Sequence, residues 1–255
     1  MKYPNRLADI DRLQKEISLL RPLGRNALKQ LKEYYRIGLT YSSNAIEGNS
    51  LTESETKIVI EDGLTIGGKP LRDHYEAIGH SEAFDQLYKL VKAESITERD
   101  ILRMHKLFYY RVDPVNAGKY RKESIIVTGT DFEFPQPDKL KGLMEKFEKE
   151  ISKLKKKLHP VQFAAVLHIR LATIHPFVDG NGRAARLLMN LAIMQAGYPT
   201  TIIPPIVRAD YIEAIRKANR GDEQMFINFI SSMVWEAQKD YLRLAKHLNG
   251  EKSES

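Results

Sequence analysis

No cysteine occurs anywhere in the 255 residues, which excludes disulfides and thiolate metal sites. Long apolar runs are also missing. The longest candidate, 161–174, is interrupted by Gln162, His168 and Arg170, so no membrane span is expected. The N-terminus, MKYPNRLADIDRLQKE, has no apolar core of the kind a secretory signal needs. Cytoplasmic residence follows as the default expectation. The net charge of +7 is dispersed, apart from Lys153, Lys155, Lys156 and Lys157, which read as a solvated helix end. No zinc-finger spacing or aromatic RNA-binding motif accompanies it, so nucleic acid finds no support as a partner.

What the chain does contain, 42% apolar and 29% charged residues, suits one globular domain with a helical appendage. Apolar residues recur at helical spacing along most of it. Helices are expected over 5–20, 26–46, 52–62, 72–91, from Thr97 onward, and over 139–157, 161–174, 181–196, 209–219 and 223–248. Leu28, Leu31, Tyr35 and Leu39 define the buried face of the second. Pro22 stops the first helix. Gly48 offers a left-handed C-cap, and Thr52 with Glu55 spells a capping box. The segments 161–174 and 184–196 are apolar nearly all round and should form the buried central pair. The exception to helix is 118–137, where β-rich Glu123–Thr128 and Phe132–Phe134 flank Gly129-Thr-Asp131. That pattern predicts a short hairpin. The tail, 249–255, is expected to be disordered.

The chemistry concentrates in His175-Pro-Phe-Val-Asp-Gly-Asn-Gly-Arg-Ala-Ala-Arg186. Pro176 keeps helix 161–174 from continuing, which leaves the His175 imidazole in a loop where it can work as a base. Asp179-Gly-Asn-Gly182 alone would be an ordinary turn. A helix starts directly after it, however, and successive amides at such a start form an anion nest. Gly180 and Gly182 allow a phosphate close to the backbone, and Asn181 can donate to it. Asp179 can hold a magnesium ion that also ligates phosphate. Arg183 and Arg186 share a face in the first turn. Cations there oppose the helix macrodipole, so an anionic ligand is expected. The bland alternative is a pair of surface arginines with unrelated carboxylate partners. The remaining histidines, His74, His80, His105, His159, His168 and His247, lack such neighbours and read as structural.

This run resembles, without departure, the signature of Fic (filamentation induced by cAMP) domain proteins, and the resemblance extends from about residue 27 to 246. It implies an all-α Fic fold with one short β-hairpin flap. It also implies transfer of AMP from ATP to a Ser, Thr or Tyr hydroxyl of a target protein. His175 would then deprotonate the hydroxyl, and Asp179 would hold Mg2+ (or Mn2+). Asn181, Arg183 and Arg186 would serve the α-, β- and γ-phosphates, and Phe177 would seat the loop. The intact Gly182 fits this activity, because relatives that act as kinases depart from the Gly-Asn-Gly core. Ser43-Asn-Ala-Ile-Glu47-Gly48 is similar to the inhibitory motif of the same family. Glu47 closes a predicted helix, where the dipole disfavours a carboxylate, and a buried carboxylate there needs a cation. Arg186 is the expected partner, and the pair would keep Arg186 from the γ-phosphate.

The resemblance also implies a target-docking flap after Gly118-Lys-Tyr-Arg121, with Ile126, Val127, Thr128 and Phe132 as contacts. A free strand edge there can take an extended peptide. Tyr211 and Asn219 would contact adenosine; the alternatives are a packing tyrosine and a capping asparagine. The expected division is 1–95, carrying the inhibitory motif, and 96–248, the Fic core. The target is unknown, with the chain itself as one candidate, and a homodimer is compatible with the resemblance. Other readings stay open: another nucleotide or a diphosphate-linked donor such as CDP-choline, or a non-catalytic interaction module. A DNA-binding regulator is disfavoured, since the chain ends soon after the core.

Overall fold

The structure is a computed structural model that describes residues 2–127, 130 and 132–250. Among these it is all-helical, with α1 (Leu7–Leu19), α2 (Arg25–Ile46), α3 (Glu53–Lys57), α4 (Leu71–Leu90), α5 (Glu98–Tyr109), α6 (Leu140–Lys157), α7 (Pro160–Ile174), α8 (Asn181–Gln195), α9 (Arg208–Asn219) and α10 (Glu223–Leu248). A π-helical turn, Ile58–Asp62, extends α3 to Gly63. The boundaries follow local chemistry. Thr52 Oγ1 accepts from the Glu55 amide at 3.2 Å while Glu55 Oε2 accepts from the Thr52 amide at 2.7 Å, which closes the capping box at the start of α3. Thr97 and Asp100 repeat the device at the start of α5.

The end of α2 can be accounted for carbonyl by carbonyl. Gly48 is left-handed at φ 95°, and its amide reaches Ala45 O at 3.0 Å while the Asn49 amide reaches Asn44 O at 3.1 Å. This is a Schellman cap. The two carbonyls it leaves over, Ser43 O and Ile46 O, accept from Arg186 at 2.8 Å and Arg208 at 2.7 Å. Two cations thus sit at the negative end of the α2 dipole, and both come from the site described below.

Helices α7 and α8 pack along each other at the centre. Ala164, Ala165, Leu167, Ala184, Leu187 and Leu188 are fully buried between them and their neighbours. Each buried leucine stabilises the fold by about 1.5–3 kcal/mol. Helix α10 packs on α1, α7 and α9, and α4 packs on α2, α5 and α8. One hydrophobic cluster runs from Ile10 to Ala245, so residues 1–95 share a core with the rest. On α2, Leu31, Tyr35 and Leu39 are buried, but Leu28 is half exposed and leaves the expected face.

The hairpin expected over 123–134 is not seen among the described residues. Among the described residues there is no strand, and no backbone pair joins Glu123–Val127 to Phe132–Phe134. Side chains hold the segment instead. Buried Arg121 donates to Glu123 O at 2.9 Å and Pro135 O at 2.5 Å, and Ser124 Oγ donates to Gln136 Oε1 at 2.6 Å. β-Propensity reflects context more than backbone preference, and an isolated two-stranded hairpin is marginal in water. Thr128 lies outside the described residues, as does the expected disordered tail beyond Gly250.

Candidate active site

His175 caps α7 in the left-handed region (φ 51°), the one non-glycine among the described residues to do so. Its amide still reaches Leu171 O at 2.9 Å, and the reversal aims the imidazole into a cavity of about 320 Å3. Nδ1 lies 3.0 Å from Ala172 O. A carbonyl only accepts, so Nδ1 carries the hydrogen and Nε2 keeps a free lone pair. The ring rests on Phe134, with centroids 4.3 Å apart. Burial pushes its pKa down to about 4, with Arg121 adding to the effect and the Ala172 carbonyl opposing it. The imidazole is therefore neutral at pH 7.

The loop from Pro176 to Gly180 is built to hold its shape. Phe177 is fully buried and stacks on His105 at 3.7 Å between centroids. Asn181, also buried, accepts from the Phe177 amide at 2.9 Å and donates to Phe177 O at 2.8 Å. Its side chain thus shapes the loop rather than facing the cavity, so an anion there would meet only main-chain amides of this turn. Gly180 needs its freedom: φ is 78°, and a Cβ would meet the Phe108 ring at 2.7 Å. Arg121 donates from Nε to His175 O, and its amide to Pro176 O, both at 2.9 Å. This ties the 121–136 segment to the loop.

Arg186 is almost fully buried and every nitrogen is engaged. Nε donates to Ser43 Oγ at 3.0 Å, Nη2 to Ser43 O at 2.8 Å and to Glu47 Oε1 at 2.7 Å, and Nη1 to the Tyr211 hydroxyl at 3.1 Å. The Tyr211 hydroxyl also pairs with His168 Nε2 at 2.9 Å, and burial lowers the His168 pKa to about 3 and keeps that ring neutral. The Tyr211 hydroxyl therefore braces Arg186, and its ring is only 1% exposed. The Glu47 side chain remains 35% exposed at the cavity edge. Burial acts to raise its pKa, but the charge and hydrogen bond of Arg186, with Arg183 behind it, hold it below the usual range.

Arg183 and Asp179 face the other way, toward α4. Arg183, buried, pairs with Glu76 Oε1 at 2.9 Å and more loosely with Asp179 Oδ2 at 3.5 Å. Asp179 Oδ2 also accepts from Arg72 Nη2 at 2.7 Å, and Oδ1 accepts from the Gly180 amide at 2.6 Å. Among the described residues no cluster of three or more histidines and carboxylates could cage a metal. Asp179 offers a single hard oxygen donor beside the nest. This fits an ion such as magnesium, which takes most of its ligands from phosphate and water.

The structure thus brings His175, Asn181, Gly182, Arg186, Glu47, Tyr211 and Asn219 to one cavity. Asn219 meets it with Oδ1 already accepting from Thr173 at 3.0 Å. Ile126 is 98% exposed on the outer segment, Val127 touches the cavity, and Phe132 packs edge-on against Phe134 at 5.2 Å. Nothing in the sequence points to Arg72 or Glu76 at the site, and Arg121 and Arg208 are marked there only as members of runs that resemble the family, not by the bonds they make here. His105, read as structural, is so: it accepts from the Gly118 amide at 2.9 Å and donates to Asp179 O at 3.0 Å.

Residues 95–193 match the Fic/DOC family. A protein adenylyltransferase Fic from Nematostella vectensis is 41% identical over 214 residues, covering 82% of this chain and 49% of that protein. One from Drosophila willistoni is 36% identical over 239 residues, covering 93% and 47%. The chain thus spans about half the length of the curated relatives it matches. The solved structure of a Fic-1 fragment from C. elegans superposes with a TM-score of 0.86 at 30% identity, over 94% of this chain and 72% of that one. The agreement extends from the 175–186 signature to the helices on either side of it, and the chain belongs to the Fic/DOC family.

Proposed function

We propose that this chain is a protein adenylyltransferase that moves AMP from ATP to a Ser, Thr or Tyr hydroxyl of a target protein and is held off by Glu47. The observation that carries the reading is the meeting of opposites at Arg186. A buried guanidinium at the anion nest, beside an imidazole with a free lone pair, has a carboxylate where a phosphate would sit. The named activity of the relatives supports the same chemistry.

His175 Nε2 takes the proton of the incoming hydroxyl, and its oxygen forms a bond to the α-phosphorus. The α–β P–O bond breaks and pyrophosphate leaves. The amides of Asn181 and Gly182 face the α-phosphate, Arg186 supplies charge to the outer phosphates, and Arg183 adds its charge from behind it. Asp179 would hold Mg2+ or Mn2+, which when bound neutralises phosphate charge. Ile212, Ile215 and Asn219 also line the cavity and suit the nucleoside; Tyr211 serves Arg186. The 121–136 segment, tied to the His175 loop by Arg121, takes the target through Ile126, Val127 and Phe132. Residues 1–95 act as the regulatory part and 96–248 as the transferring part.

Glu47 blocks transfer by taking Arg186 and by lying over Gly182, so the γ-phosphate has neither its cation nor its space. Intact-mass measurement of wild type and Glu47→Gly, incubated with Mg2+ and each of ATP, GTP, UTP and CTP, tests the donor and the group moved. Addition of one AMP from ATP supports the reading. Addition of a different nucleotide, or of phosphate alone, rejects it.

A further inference from the structure

We propose that Arg72 is a resident cation on Asp179, which a divalent ion must displace, so that it sets the metal concentration at which the site loads. This rests on the reading of Asp179 as the metal carboxylate. Two guanidiniums already share Asp179 Oδ2: Arg72 at 2.7 Å and Arg183 at 3.5 Å. They differ in freedom. The Arg183 side chain is 2% exposed and paired to Glu76, whereas Arg72 is 56% exposed. Arg183 cannot leave without abandoning a buried charge; Arg72 can turn into water.

Arg72 is also tethered. Its Nε donates to Glu76 Oε1 at 3.1 Å one helical turn along α4, so releasing Asp179 does not carry it away from the site. Glu76 Oε2 accepts from Asn49 Nδ2 at 3.0 Å, and Asn49 lies two residues beyond Glu47. The turn that places Glu47 on Arg186 therefore also anchors the tether of Arg72. In this arrangement the carboxylates of Asp179 and Glu76 balance the guanidiniums of Arg72 and Arg183. A dication entering that balanced group meets repulsion that the departure of Arg72 relieves.

The test uses Mn2+ alone, titrated into wild type, Arg72→Ala and Arg72→Gln, with free Mn2+ followed by electron paramagnetic resonance. Asp179→Asn variants of each serve as references. Both Arg72 variants should bind Mn2+ about two- to fivefold more tightly than wild type, the scale of one half-exposed charge pair. The gap should narrow at high salt, and binding should vanish with Asp179→Asn. Equal or weaker binding in the Arg72 variants, with binding still lost in Asp179→Asn, would overturn the role of Arg72 alone. Binding indifferent to Asp179 would overturn the metal reading together with it.

Discussion

The Glu47 carboxylate lies directly over Gly182: a Cβ at that glycine would meet Glu47 Oε1 at 2.3 Å and Arg186 Nη1 at 3.1 Å. Gly182 sits in the first turn of α8 with no positive φ, so the glycine answers to the neighbouring carboxylate, not to the backbone.

A reversal of sign follows for Gly182→Ala. At an ordinary helical position alanine gains about 0.8–1 kcal/mol over glycine. Here the methyl must push Glu47 off Arg186, and Gly182→Ala should destabilise the wild type. In a Glu47→Gly background the same change should be neutral or stabilising. Urea denaturation of the four proteins reads the coupling, expected at about 1 kcal/mol or more.

Acid should undo the Glu47 contact. Its folded pKa is held below the ordinary value, so its stabilisation is complete above about pH 4.3 and is lost as pH falls through the folded value. Thermal melts should show wild type above Glu47→Gln at neutral pH, with the gap closing below about pH 4. Its partial exposure keeps the gap small.

His175 titrates on the same acid side, where its protonation would lower the rate. Burial puts its pKa at about 4, below the ordinary 6.5, so the base stays neutral well into acid. Removing Glu47 takes away a charge that raises that pKa. The pH–rate profile of Glu47→Gly should accordingly stay flat between about pH 6 and 7.5. A fall in rate centred near 6.5 would mean that the imidazole titrates as if exposed.

Tyr211→Phe should cost about 1–3 kcal/mol of stability, because it strands two buried partners. Both Arg186 Nη1 and His168 Nε2 lose the hydroxyl they share. Chemical denaturation checks the loss. A tyrosine that merely packs would give a change within a few tenths of a kcal/mol.

Arg121→Lys tests what holds the outer segment. Lysine keeps the charge but not the planar fork that reaches His175 O, Glu123 O and Pro135 O. Limited proteolysis should cut the 121–136 region faster, while the helices stay protected.

How much of this the sequence disclosed varies with range. Thr52 with Glu55, Gly48 and the 175–186 run are local: residues within one turn of each other decide the capping box, the left-handed cap of α2 and the turn from His175 into α8, so they could be read directly. Helical periodicity marked α7 and α8 as the buried pair for the same reason. What escaped lies far apart in the chain. Arg72 and Asp179 meet across 107 residues, and no spacing rule links Glu76 to Arg183. Arg121 is marked in the sequence only as part of the 118–121 run before the expected flap, yet it is buried because three carbonyls converge on it. The β-rich 123–134 segment misled because its Ile, Val and Phe side chains serve exposure and the cavity wall, not a sheet. Asn181 and Tyr211 lie at the cavity, but their polar atoms turn inward, which composition does not reveal.

The central claim is that Glu47 keeps a working transferase idle by holding Arg186, and incorporation of AMP from α-labelled ATP tests it most directly. Glu47→Gly should label itself or an added protein at least tenfold faster than wild type, and Glu47→Gly/His175→Ala should fall to background. Equal labelling by wild type and Glu47→Gly, or full labelling without His175, would contradict it.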